Sequence, residues 1–453
     1  MSTFIDKDYI NNLIEETKNA SAKEIDKILD KASLGKGLNH KEVAVLVNVE
    51  DKKQIERLHD ISYNLKKKIY GDRIVLFAPL YLSDYCVNNC TYCGYRRDND
   101  FIRTKLEMNQ IREEVKALES LGHKRLALEF GEDKVNCDID YVVEAIKTIY
   151  DSGDIRRVNV NVAATDTEDY IKLKEADIGT YILFQETYNE DRYNELHPQS
   201  LKGDYQRQLF AHHKAIEAGL DDVGGGVLYG LSDYRFDLIA QMIHNEELLR
   251  LYGVEFHTIS VPRIRPAKGV DLSTYPNLID DDTFVKIVSI IRVAAPLVGM
   301  ILSTREDEDM RKKLIRQGIS QISAQSKTTV GGYADNTHES QFETGDGRTL
   351  HETMQDLINE GNLPSYCTAC YRMGRTGQEF HDSVETLKIA QMCHPNAILT
   401  TLEYILDSKD EAMYEQSYPF LLEQIDKISD EKIRKTIKEY FARIENGERD
   451  LYI

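Results

Sequence analysis

The chain has 453 residues, 41% of them hydrophobic and only nine of them proline, so it can bury a large core and is not a disordered or linker-rich protein. Its formal charge of −20 at pH 7 argues against a general binder of nucleic acid or of anionic membranes, whose phosphates repel such a surface. No window approaches the roughly 18 apolar residues of a membrane span, and the N-terminus lacks the basic and apolar regions of a signal peptide, so a cytoplasmic location is expected.

Residues 1–72 read as a helical extension, because Ile10, Leu13 and Ile14, then Ile25, Ile28 and Leu29, recur with the spacing of amphipathic stripes. From Arg73 the pattern changes to short apolar runs alternating with helical stretches. The runs are Ile74–Leu80, Arg125–Glu129, Val158–Ala163, Gly179–Phe184, Asp222–Leu228, Glu255–Val261, Val298–Ser303 and Ile319–Ala324. Helices are expected between them, among others over Met108–Leu121, Ile139–Tyr150, Glu168–Ala176 and Tyr205–Ala218. Eight β-then-α units over residues 73–325 predict an α/β fold, a (β/α)8 TIM barrel; an open doubly wound sheet shares the alternation but not the count. Residues 326–453 read as a C-terminal domain: a polar, glycine-containing loop with a helix at Leu350–Asn359, then helices at Val384–Met392, Ile398–Ile405 and Ile433–Ile444.

The chemistry is carried by cysteines. In a reducing compartment, clustered cysteines are more often metal ligands than disulfides. Cys86, Cys90 and Cys93 follow the first strand, where a barrel places its catalytic loops. An ordinary 4Fe–4S cluster takes four cysteines. Three leave one iron free to bind something chemical. A zinc knuckle is the bland alternative, but zinc sites pair cysteines as CxxC, and the three-residue spacer between Cys86 and Cys90 fits that poorly. A second group, Cys367, Cys370 and, after 22 intervening residues, Cys393, is either a zinc site completed by His394 or an auxiliary iron–sulfur site. Cys137 matches no motif.

The CxxxCxxC spacing, with Tyr92 before its last cysteine and a barrel following, resembles the radical S-adenosylmethionine (SAM) superfamily, and implies a barrel of that type. There the open iron chelates SAM, whose cleavage yields a 5′-deoxyadenosyl radical. The resemblance assigns SAM contacts to Tyr92 and to Gly131 and Glu132, which match the end of the family's glycine-rich motif. Asn161 and Gln185 are weaker candidates, which could equally be strand-end polar groups. Adding the C-terminal CxxC-x22-C and segments such as Phe256–Arg263 and Leu302–Glu306, the chain resembles the HydG family, tyrosine lyases of FeFe-hydrogenase maturation.

That resemblance implies a reaction in two stages. Hydrogen is taken from the amino group of L-tyrosine, and the Cα–Cβ bond breaks to p-cresol and dehydroglycine. Dehydroglycine then becomes CO and cyanide at an auxiliary cluster on Cys367, Cys370 and Cys393 that carries an additional iron, leaving as an iron–CO–cyanide unit with cysteine. Arg305 would clamp the substrate carboxylate with help from Ser323; otherwise Arg305 pairs with Glu306 or Asp307 on the rim, and Ser323 is a core serine. His257 would ligate the additional iron or, failing that, is a core histidine. Implied partners are SAM, L-tyrosine, free cysteine, a reduced ferredoxin- or flavodoxin-type donor and, transiently, other hydrogenase maturases, in an anaerobic organism. A thiamine-type tyrosine lyase with a merely structural second cluster is the alternative. A biotin-synthase-like sulfur inserter is disfavoured because its sacrificial cluster lies inside the barrel.

Overall fold

The computed structural model describes residues 3–334, 338–377, 379 and 388–453. The N-terminal segment forms α1 (Lys7–Thr17), α2 (Ala22–Ser33), α3 (His40–Val47) and α4 (Lys52–Tyr70). Each begins where a side chain accepts an otherwise orphaned backbone N–H: Asp6, Ser21, Asn39 and Asp51. Their apolar stripes face the barrel. Lys286 Nζ donates to the carbonyls of Val47 and Val49 at 2.8 and 2.6 Å, which ties the end of α3 to the barrel wall.

All eight expected strands are present: β1 (Arg73–Ser83), β2 (Arg125–Phe130), β3 (Arg157–Asn161), β4 (Tyr181–Ile182), β5 (Val223–Gly226), β6 (Thr258–Ser260), β7 (Gly299–Leu302) and β8 (Gln321–Ser323). Every neighbouring pair is parallel. The lower half of β1, Val75–Phe77, pairs with β8, and its upper half, from Ala78 to Ser83, pairs with β2. Those two pairings close the ring and exclude the open sheet. The wall outside is α5 (Met108–Ser120), α6 (Ile139–Ser152), α7 (Thr167–Glu175), α8 (Glu190–Leu196), α9 (Tyr205–Leu209), α10 (Ala211–Glu217), α11 (Tyr234–Tyr252), α12 (Asp281–Ala294) and α13 (Glu308–Gln317). The single helix expected over Tyr205–Ala218 is two, parted at Phe210, whose ψ of 7° leaves the helical range.

The C-terminal part departs most from expectation. α14 (Leu350–Asn359) is where the periodicity put it, but a ninth strand, β9 (Leu363–Ser365), follows. It pairs with Arg73–Val75 at the lower end of β1. Three residues centred on a proline carry no readable alternation, so the sequence reads as loop there. α15 (Ala369–Arg372), α16 (Lys388–Ser408), α17 (Glu411–Asp426) and α18 (Glu431–Glu445) complete the chain. The helix expected over Val384–Met392 lies partly outside the described residues. Segments 1–72, 73–325 and 326–453 share one continuous apolar core, from Ile5 to Ile444. The last segment covers both ends of the barrel. Residues around Thr328 and Gln341 fold over the top, held by the hydroxyls of Tyr95 and Tyr81 at 2.9 and 2.8 Å, whereas β9 and α15 lie beneath. No helix among the described residues is long and apolar enough to cross a membrane.

Candidate active site

Two cavities occupy opposite ends of the barrel. The upper one, about 250 Å3, lies at the C-terminal ends of the strands and is lined by Cys86, Cys90 and Cys93. The loop bearing them is pinned at several points. Val87 N donates to Glu132 O (2.9 Å), Thr91 N to Leu196 O (3.0 Å), and Asn89 N to Ser200 Oγ (2.7 Å). Gly131 permits the tight seat of that loop on β2, since a Cβ there would stand 2.2 Å from Tyr85 O. All three cysteines are free. Burial pushes their thiols up, Cys93 to about 11, so thiolates persist here only when a metal holds them. Among the described residues no three His, Cys, Asp or Glu side chains converge closely enough for a single ion. Three thiols spread around a cavity instead suit a cluster, and the superfamily's 4Fe–4S group fits this donor set.

The expected SAM contacts mostly surround the same space. Glu132 is locked by Arg207 and Asn88, both at 2.7 Å. The Tyr92 hydroxyl meets His197 Nε2 at 2.8 Å. Asn161 donates to Glu129, and its Oδ1 is buried without a partner. Burial raises the Glu129 carboxyl to about 8. Gln185 requires a correction: it is buried but does not line the cavity. Its neighbour Glu186 does, because a left-handed backbone (φ 66°) turns that residue inward, where it pairs with Lys202 at 2.6 Å. Nothing in the sequence around Glu186 or Lys202 signals this, since a turn 16 residues away supplies the lysine.

Arg305 and Ser323 both line the upper cavity. The rim pairing is absent: Glu306 binds Arg263 and, at 2.8 Å, Arg265, while Asp307 caps α13. Arg305 has no ion pair among the described residues, and its guanidinium stacks on Phe342. Burial lowers its pKa, with the positive charge left facing the cavity. Ser323 Oγ accepts from Thr304 N at 3.2 Å.

The lower cavity, about 70 Å3, brings together Cys367, Cys370 and Cys393 with His257 and Arg73. Cys367 follows β9, Cys370 lies in α15 and Cys393 in α16. Arg125 donates to Cys367 O at 2.7 Å. The thiols of Cys370 and Cys393 are hydrogen-bonded, which draws Cys393 down, whereas burial lifts Cys367 to about 11. His257 sits just before β6, at the barrel's lower end. Its Nδ1 lies 3.4 Å from Asp222 Oδ1 and its Nε2 3.3 Å from the Tyr371 hydroxyl. Neither partner is signalled by the sequence, although Tyr371 directly follows Cys370. His394 faces Gln424 O at 3.2 Å and does not line the cavity, so the His394-completed zinc site is not formed. Cys137 is buried outside both cavities.

A closed parallel barrel with three free cysteines in its first loop defines a radical SAM enzyme. The radical SAM superfamily matches residues 80–243, and the biotin and thiamin synthesis associated domain matches residues 260–362. The 2-iminoacetate synthase of Escherichia coli (strain K12) is 32% identical over 327 residues, which is 72% of this chain and 85% of that protein. A crystal structure of HydG, a maturase of the FeFe-hydrogenase, is 49% identical, with all of both chains covered and a TM-score of 0.98. The FeFe-hydrogenase maturase HydG from Carboxydothermus hydrogenoformans is 36% identical over 96% of this chain and 97% of its own, with a TM-score of 0.85. The chain belongs to the HydG family and is a radical SAM lyase.

Proposed function

We propose that the enzyme cleaves L-tyrosine at Cα–Cβ to p-cresol and dehydroglycine, and that dehydroglycine becomes CO and cyanide at the C-terminal cysteines, building an iron–CO–cyanide precursor of the FeFe-hydrogenase active site. The observation that carries this reading is the pair of three-cysteine cavities at opposite ends of one barrel. Cys86, Cys90 and Cys93 hold the 4Fe–4S cluster, which with SAM supplies the 5′-deoxyadenosyl radical. Tyr92, Gly131, Glu132 and Asn161 line the SAM site, and the unpartnered Oδ1 of Asn161 is an acceptor waiting for a donor.

The unpaired, stacked guanidinium of Arg305 suits the tyrosine carboxylate, since a buried anion needs a fixed cation. Ser323 adds a hydrogen bond. Phe342 and Gln341, from the loop folded over the barrel, help to keep bulk water from the reacting carbon. Below, Cys367, Cys370 and Cys393 would hold the auxiliary cluster, and His257, oriented by Asp222, would supply a ligand to its additional iron, with free cysteine as a further one. Arg73, buried there without an ion pair among the described residues, offsets the negative charge of the thiolates. Electrons come from a reduced ferredoxin- or flavodoxin-type donor, and the product passes transiently to other hydrogenase maturases.

The test is incubation of the reconstituted enzyme under argon with SAM, reductant and L-tyrosine, measuring p-cresol and CO together. Both are expected. p-Cresol without CO would favour the thiamine-type lyase, and neither product would sink the reading.

A further inference from the structure

A third cavity, about 250 Å3, opens on the outer wall of the barrel between α4, α13 and α14. It lies behind β8: Ile322 forms part of its floor, while the next residue, Ser323, faces the upper cavity. Six cations reach it, Lys66, Lys67, Arg311, Lys312, Arg316 and Arg348, against three carboxylates, Asp72, Asp356 and Glu360. With Glu308 and Asp346, which meet these cations from just outside the lining, the balance is six cations to five carboxylates, on a chain whose net charge is −20.

Three of these cations are satisfied. Lys67 pairs with Asp72, Lys312 with Asp356 (2.8 Å) and Glu308 (2.8 Å), and Arg348 with Asp356 (2.7 Å) and Asp346 (2.7 Å). Lys66 is different. It is only 2% exposed, and among the described residues it makes no hydrogen bond and no ion pair. Arg311, 1% exposed, spends Nη2 on Ser323 O at 2.7 Å and sets Nη1 2.9 Å from Asp346, but its buried Nε has no partner. Arg316, at the exposed mouth, lies 6.0 Å from the Tyr63 ring centroid and has no carboxylate partner among the described residues.

A buried ammonium is costly; Asp72, already paired with Lys67, offsets that of Lys66 only in part, and burial still draws its pKa down to about 8. The cost is relieved when an anion enters. Unused donors line the cavity from both α4 and α13, and a tetrahedral dianion, with oxygens in several directions, can meet more of them than a planar carboxylate can. Lysine binds phosphate as a point charge and needs no bidentate geometry. We propose that this cavity binds a phosphate-type dianion, either inorganic phosphate or a small phosphate monoester, anchored by the buried Lys66 and held at the mouth by Arg316.

The experiment is thermal unfolding of the reconstituted holoenzyme under argon, titrated with inorganic phosphate or with glycerol phosphate, against chloride at equal ionic strength. Saturable stabilisation is expected, with Tm rising by about 2 °C or more. Lys66→Met keeps the length of the side chain and removes its charge. It should fold by circular dichroism, make p-cresol normally and lose most of the phosphate-dependent shift. Arg316→Gln, on an exposed face that cannot threaten folding, should weaken the apparent Kd about threefold or more, and it decides the matter if Lys66→Met fails to fold. A monoester that binds more tightly than inorganic phosphate identifies a metabolite as the source; equal or weaker binding identifies free phosphate. The proposal is overturned if phosphate gives no saturable shift beyond chloride, or if both variants respond like the wild type.

Discussion

The upper and lower cavities are built from the same parts by different routes. Each has three cysteines and an arginine without an ion pair among the described residues, the half-buried Arg305 above and the buried Arg73 below. The upper cysteines lie within eight consecutive residues on one loop, so their mutual geometry is local. The lower three come from the turn after β9, from α15 and from α16, elements whose placement depends on the whole C-terminal segment packing beneath the barrel. The upper cavity is the roomier, at about 250 Å3, while the lower is only about 70 Å3. A contiguous site tolerates rearrangement elsewhere. A site gathered from three elements fails if any one of them shifts, and it can be removed without touching the other.

The strongest test of that division is to destroy the upper site. Cys86→Ala, Cys90→Ala or Cys93→Ala should abolish 5′-deoxyadenosine, p-cresol and CO together, because two thiolates cannot hold the cluster with its open iron in place. A variant that still cleaves SAM at the normal rate would sink the radical SAM assignment of this loop.

Destroying the lower site should separate the products. Cys367→Ala or Cys370→Ala should leave the barrel folded and p-cresol still forming, while CO falls to background. Deoxy-haemoglobin traps CO, and chromatography follows p-cresol in the same vessel. CO released in step with p-cresol would make the lower site merely structural.

Within the upper cavity, Arg305→Lys keeps the charge but removes the planar fork. Tyrosine binding should weaken by about 1–3 kcal/mol, as for loss of a charge-assisted hydrogen bond, with SAM binding unchanged. An unaltered KM for tyrosine would remove Arg305 from the substrate site. Its lower counterpart is milder. His257→Ala should keep the three thiolates, lower CO yield by roughly tenfold and leave p-cresol alone. Iron counted per chain should drop in parallel.

The smallest effect is on stability. Burial raises Glu129 to about 8, above its ordinary 4.5, so the folded chain holds a proton there that the unfolded chain releases. This group's contribution to stability is fully present below about pH 4.5 and declines as pH rises towards 8. Glu129→Gln cannot titrate, so the Tm of the wild type relative to the variant should fall between pH 5 and 8. A constant difference would mean that the upper cavity is wetter than its lining implies.

Alternating apolar runs were enough to number the eight barrel strands, because burial on both faces of a parallel strand is written in consecutive residues. The upper cysteines and Arg305 were legible for a related reason: a loop or strand end at the top of a barrel points inward whatever the other helices do. Sequence placed the polar residue at the end of β4 one position early, choosing Gln185 over Glu186, since the left-handed turn that inverts the two is a backbone choice with no glycine to announce it. Only the tertiary structure decided that Leu363-Pro364-Ser365 is a strand, that it carries Cys367 and Cys370 beneath the barrel, and that Cys393, Arg73 and His257 meet them there. Those residues are spread from position 73 to position 393, and what joins them is the burial of a shared core, a property of the packed chain and not of any segment of it.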